Sequence, residues 1–348
     1  MIFYKVIGSV IHVNLKTPIA MFSSQTTTMK LLASIIVLGV GLAGCNDEEE
    51  YEVDVGVGFT ANLHEPQPHL TIKREVPGNS EVFRKVFYQQ DQQFLEQIRD
   101  AGYDYLELNT TELAQLSSAQ FAEAVTLIED VGLEVPVTNL FLPGDIKVVG
   151  PDTDVEEQES YLEVAFTRLS QLGTEYVVFG SAGARYIPED FPEEEAWDQL
   201  VDFSRRAAEM SEEYGITILI EHLRREETNS INSVAEAFEL MQEVDHPHFE
   251  IMIDFYHLAE EEEDPDIVLE VADYLHHLHM ANPEGRAIPQ QWDEHPYYNR
   301  FFQNLRDIGY DQRISIEAEY TDLYEESQRS IEMMRQAFDP DFDLAEIP

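Results

Sequence analysis

The stretch "EEYGITILIEHL", Glu212–Leu223, decides how the chain is read. An apolar, strand-like run, Ile216 to Ile220, ends abruptly in the carboxylate Glu221, and Gly215 precedes it. Upstream lies the amphipathic "AWDQLVDFSRRAAEMSEEYG", and glycine just past such a pattern marks a helix C-terminus. Helix, glycine, strand and polar residue thus form one βα unit of a parallel sheet.

The same helix–Gly–strand punctuation recurs at Ala101-Gly102-Tyr103, Val131-Gly132-Leu133 and Ile308-Gly309-Tyr310, without an exact internal repeat. Eight strands are expected: Val53–Phe59, Tyr103–Leu108, Glu134–Leu140, Tyr176–Gly180, Ile216–Glu221, Phe249–Asp254, Leu275–His279 and Arg313–Glu317. Eight strands close a barrel, and 348 residues suit one, so the fold class is α/β, a single (β/α)8 TIM barrel. The longer connections, Thr60–Gln90, Phe141–Glu156 and Ala281–Asn299, all follow strands, which puts them on the rim where barrel sites lie.

On that rim fall Glu221, Asp254, His279 and Glu317, ending the fifth to eighth strands at spacings near the ~30 residues of a βαβ unit. A single acid at a strand end is commonly a helix cap or an ion-pair partner. Four such residues on consecutive strands imply a divalent-metal site, with Mn²⁺ or Mg²⁺ suited to its oxygen-rich donors and Co²⁺ or Zn²⁺ as alternatives. Strand alternation sets His277 on the face of His279, as a deeper hydrogen-bonded neighbour, and turns His276 toward the helices.

Charge narrows the partners. With 69 acidic and 21 basic residues the chain carries a formal charge of -48, which argues against nucleic acid and fits a solvated surface adapted to salt. Cys45 is the only cysteine, so no intramolecular disulfide forms. It closes Leu42-Ala43-Gly44-Cys45 after Met29-Lys30 and the apolar "LLASIIVLGVG", a run too short to span a bilayer.

That segment resembles a bacterial lipoprotein signal peptide with Cys45 as its lipidation site. The organisation expected is an upstream extension over 1–28, signal peptide 29–44, acidic tether 45–52, barrel 53–338 and tail 339–348. The resemblance implies a protein lipid-anchored to a membrane in the cell envelope.

The segments "ILIEHLRREETNSINSVAEAFELM", "IMIDFYHL", "HLHMANPEGR" and "GYDQRISIEAEY", with "VFGSAGARYIPE" and "FLPGDIKVVGP" in support, resemble the xylose-isomerase-like barrel family of sugar phosphate isomerases and epimerases. The resemblance implies metal ligation by Glu221, Asp254, His279 and Glu317. It also implies proton exchange by Glu221 and Glu317, as in ketose 3-epimerases, and substrate contacts from Glu227, His257 and Arg286. Arg185, just after the fourth strand, is a further candidate for substrate binding, with a surface ion pair as its plain alternative. Trp292, Tyr297 and Tyr298 are either a wall for a sugar ring or a packed loop. Asn229 and Asn232 either contact substrate or adjoin the capping box of Ser233 and Glu236.

The expected activity is metal-dependent isomerisation or epimerisation of a ketose or keto-sugar through a metal-stabilised enediolate. Keto-glycoside lyase or dehydratase chemistry, a non-catalytic sugar-binding lipoprotein and an endonuclease on the same fold are the rivals. The expected partner is a neutral small-molecule sugar, and a homo-oligomer is compatible with the sequence.

Overall fold

The computed structural model describes residues 57–61 and 92–344, together with two short strands, Lys5–Val6 and Ser9–Val10, which pair antiparallel. The segment 11–56, with the signal peptide, Cys45 and the tether, lies outside the described residues. The chain divides into Met1–Glu52 and Val53–Pro348, and the second unit holds the barrel.

Eight strands build it: β1 (Val57–Ala61), β2 (Tyr105–Asn109), β3 (Glu134–Asn139), β4 (Tyr176–Phe179), β5 (Thr217–Ile220), β6 (Phe249–Asp254), β7 (Leu275–Met280) and β8 (Arg313–Ile316). Each pairs parallel with the next, and β8 returns to β1 to close the ring. This is the expected fold class.

Strand alternation sorts the side chains into two cores. Leu106, Leu108, Ile218, Ile220, Ile251 and Ile253 face outward into the layer shared with the helices. Tyr105, Val137, Val178, Leu219 and Met252 fill the barrel interior. The Tyr105 ring covers Gly58, where a methyl group would come within 2.1 Å of Tyr105 Cε2, so the largest interior residue is accommodated by the smallest.

The helices are bounded by short-range chemistry. Helix Ser118–Val131 opens on a capping box of Ser117 with Gln120, and closes on Gly132 in the left-handed conformation, φ 79°. Asp154 and Asp322 cap helices Val155–Leu172 and Leu323–Phe338 through their carboxylates, which also complement the helix dipole. No helix among the described residues is long and apolar enough to cross a membrane.

Two local features differ from the pattern reading. His276 stacks on Tyr176 of β4, ring centroids 5.7 Å apart, a contact across the barrel floor and not toward the helices. The register shift between Ile251 and Met252, opposite Leu275 and His277, removes the simple alternation there. Residues 339–344 pack as part of the fold: Arg306 donates to the carbonyls of Gln336, Asp339 and Phe342, while Phe342 stacks on Trp292 and Leu344 is buried.

Candidate metal centre

At the carboxyl ends of β5 to β8 the barrel brings Glu221, Asp254, His279 and Glu317 together, each offering one ligand atom, all within 4.8 Å of one another. Asp254 divides its labour. One oxygen accepts the Tyr256 N–H at 2.8 Å and caps the helix Phe255–Glu260, while Oδ2 is buried with no hydrogen-bond partner. His279 Nδ1 is likewise buried without a hydrogen-bond partner, 3.3 Å from Glu221 Oε1 and 3.2 Å from Glu317 Oε2. Buried acceptors converging without donors are costly unless a cation lies among them, so the donor set fits a hard divalent metal.

The second ring nitrogen of His279 faces inward, 2.7 Å from Glu107 Oε1. Glu107 is fully buried on β2 and its other oxygen meets His277 Nε2 at 2.9 Å and accepts from Ser315 Oγ at 2.5 Å. Ser315 in turn lies 2.9 Å from the Tyr105 hydroxyl. His277 is therefore the deep hydrogen-bonded neighbour expected of it. Glu107 escaped the sequence reading, although an acid flanked by Leu106 and Leu108 in a buried strand is itself a signal that partners must exist.

Charges in the cluster shift one another. Burial pushes the Glu221 carboxyl up, and His279 offsets this only in part. Asp254 is raised to about 6 by burial, against the pull of Arg286. Glu317 moves the other way, to about 2, because His279 and Arg286 outweigh its burial. Burial opposes protonation of His279, yet Glu107 and Glu317 raise it well above the usual imidazole range. Glu107 falls below the usual carboxylate range, its burial outweighed by the two imidazoles.

Toward solvent the site opens through Glu317, Glu227 and Arg286, whose side chains are 24%, 28% and 30% exposed. Arg286 donates to Glu317 Oε2 at 2.9 Å and lies over the Tyr256 ring at 4.7 Å. Arg224 covers the same ring at 5.0 Å and donates to Glu227 Oε1 at 2.8 Å. His257 Nδ1 accepts the Arg224 backbone N–H at 3.3 Å, which turns its Nε2 toward Asp254 Oδ2, 3.4 Å away. Glu227, His257 and Arg286 thus all border the cluster.

Arg185 does not reach this mouth. It is fully buried and donates to the carbonyls of Gly180 (2.8 Å), Glu221 (2.7 Å) and Ser230, because the loops after β4 and β5 leave those acceptors without other partners. Neither substrate contact nor surface ion pair describes it. Asn229 bridges to both backbone groups of Ile187, and Asn232 donates to the carbonyls of Leu223 and Thr228. Trp292 packs on Phe302 and Tyr298 is buried, so they form a packed loop and not a sugar wall.

Residues 95–337 match the family described as the xylose isomerase-like TIM barrel. The chain belongs to that family. A D-psicose 3-epimerase of Ruminiclostridium cellulolyticum is 25% identical over 234 residues, covering 64% of this chain and 76% of that protein. An L-ribulose 3-epimerase of Mesorhizobium japonicum is 22% identical over 237 residues, 67% of this chain and 77% of its own. The structure of a D-allulose 3-epimerase from Methylomonas sp. in complex with D-allulose superposes with a TM-score of 0.65 at 20% identity, over 81% of this chain and 97% of the other. For this xylose isomerase-like barrel the last likeness speaks to fold alone.

Proposed function

We propose that this protein is a divalent-metal-dependent ketose epimerase or isomerase that works by moving a proton on and off a carbon beside a carbonyl. The observation that carries the reading is the convergence of Glu221 and Glu317 with Asp254 and His279 at the carboxyl mouth of a barrel whose relatives include ketose 3-epimerases.

Glu221, Asp254, His279 and Glu317 would hold the metal, which when bound polarises a carbonyl and acidifies the neighbouring C–H. Glu221 and Glu317 extend from strands three apart around a ring of eight, so they approach a bound sugar from two sides. Burial raises the proton affinity of Glu221, whereas His279 and Arg286 lower that of Glu317, so the two carboxylates are not equivalent. Glu227, His257 and Arg286 supply donors and acceptors for substrate hydroxyls at the entrance. The excess of acid around each arginine disfavours a phosphorylated substrate and supports a neutral sugar.

A panel of ketoses incubated with Mn²⁺-loaded protein in deuterated water tests this. Solvent deuterium at one carbon and an epimeric or isomeric product are expected, and both should vanish in Glu317→Gln while the melting curve persists. A panel with neither deuterium nor product would leave only a sugar-binding role. The Leu42–Cys45 box supports attachment of the enzyme to a membrane of the cell envelope, for which fatty-acid labelling that disappears in Cys45→Ser is the test.

A further inference from the structure

The inner half of the polar cluster has no place in the proton-transfer scheme, yet it is built around a fully buried carboxylate. Glu107 is 0% exposed, and so are His277, His279 and Ser315 around it. A carboxylate in such a place costs several kcal/mol unless its oxygens are satisfied. Satisfaction alone needs only donors; here the donors have a direction. Oε1 takes His279 Nε2 at 2.7 Å, and Oε2 takes His277 Nε2 at 2.9 Å and the Ser315 hydroxyl at 2.5 Å. The two rings stand at 86° with centroids 5.2 Å apart, edge against face.

A metal ligand must give up the extra proton that the surrounding carboxylates favour on His279, and the neutral imidazole then carries one N–H. If that hydrogen sat on Nδ1 of His279, it would point between Glu221 Oε1 and Glu317 Oε2, the place a shared metal needs, and the bare Nε2 lone pair would face the Glu107 anion. With the hydrogen on Nε2 both conflicts vanish, and the Nδ1 lone pair points into the cluster. We propose that Glu107 is a positioning residue that fixes His279 in its Nε2–H tautomer, presenting Nδ1 as the nitrogen ligand of the metal centre. Ser315, with Tyr105 behind it, holds the far oxygen of Glu107 and so sets the angle from which the near one meets His279. The inference rests on the metal reading of the site. It assigns no second ion to Glu107, His277 and His279, whose separations are those of hydrogen bonds.

Two measurements test it without turnover. Chelator-stripped protein is titrated with Mn²⁺ and the free ion is followed by electron paramagnetic resonance. Wild type should bind one ion per chain, and Glu107→Gln should bind one about 10- to 100-fold more weakly, the usual effect of losing such an outer partner. Equal affinity in the variant would overturn the positioning role alone. A wild type that binds no ion would overturn the metal reading itself, and a second ion lost in the variant would make Glu107 a ligand instead.

The second measurement needs no folded variant at position 107. Long-range ¹H–¹⁵N correlation on Mg²⁺-loaded wild type, with His279 assigned by its loss in His279→Gln, should show Nε2 protonated and Nδ1 bare. The reverse tautomer would overturn the proposal.

Discussion

The Glu221 carboxylate occupies the space a side chain would take at Gly180: a methyl group there would lie 2.1 Å from Glu221 Oε2. Gly180, directly after β4, therefore leaves room for the carboxylate at the end of β5. Gly180→Ala should leave the barrel folded, since only the tip of one side chain must move. That tip is a proposed metal ligand and proton carrier. A displacement of about 1 Å at such a group costs on the order of 10²-fold in rate. Turnover of the best ketose, measured beside circular dichroism, checks this, and an alanine variant with wild-type kcat/KM would refute it.

Arg185 leads to a prediction about stability. Its guanidinium binds the carbonyls of Gly180, Glu221 and Ser230, and burial lowers it to about 10, so it remains charged at neutral pH. Arg185→Leu would leave those carbonyls buried without donors, a loss of about 3–5 kcal/mol. A surface ion pair would cost no more than about 1 kcal/mol. Urea unfolding distinguishes the two, and a midpoint unchanged from wild type would mean that the carbonyls find other donors.

Much of this arrangement was legible because strand ends are marked chemically. Gly102, Gly132, Gly215 and Gly309 announce four of the eight strands, and Glu221, Asp254 and Glu317 interrupt apolar runs that have no other use for charge. What escaped depended on direction. Arg185 follows a strand as a substrate arginine would, but whether it turns to the mouth or to the backbone behind Glu221 depends on carbonyls left free by two loops far apart in sequence. His276 broke the alternation because it is itself the extra residue of a bulge in β7, which shows only once β6 is paired beside it. Glu107 was passed over because one acid in "DYLELN" resembles any surface residue until β7 and β8 are brought beside it.

The formal charge of -48 predicts a salt requirement. Acidic groups crowd the helix surfaces, as at Glu193, Glu194 and Glu195 in the first turn of helix Glu193–Glu212, and their mutual repulsion opposes the compact state. The screening length falls from ~10 Å at 0.1 M salt to ~3 Å at 1 M, so most of that repulsion is removed within this range. The melting temperature should climb steeply from 0.1 to 1 M NaCl and more slowly beyond. A flat or falling curve over the first molar would show that the acids are too well solvated to repel.

Glu250 supplies a test by pH away from the metal centre. It lies on β6 in alternation with Met252 and Asp254, at the closed end of the barrel, and its Oε2 is buried without a hydrogen-bond partner. Burial raises its carboxyl to about 7 from an ordinary 4.5. Because the folded value is the higher one, folding favours the protonated form. The cost of ionising it is absent below the unfolded value, grows as pH rises from 4.5 to 7 and is complete above 7. Glu250→Gln should therefore stabilise the protein at pH 8 by about 1 kcal/mol, discounted for the solvent that reaches a half-buried group. This corresponds to roughly 1–3 °C in melting temperature. At pH 4 the gain should nearly disappear, since both states then hold most of the proton. Melting curves of the two proteins at both pH values, in equal salt, decide it, and a gain independent of pH would mean that the glutamine acts by packing and not by removing a charge.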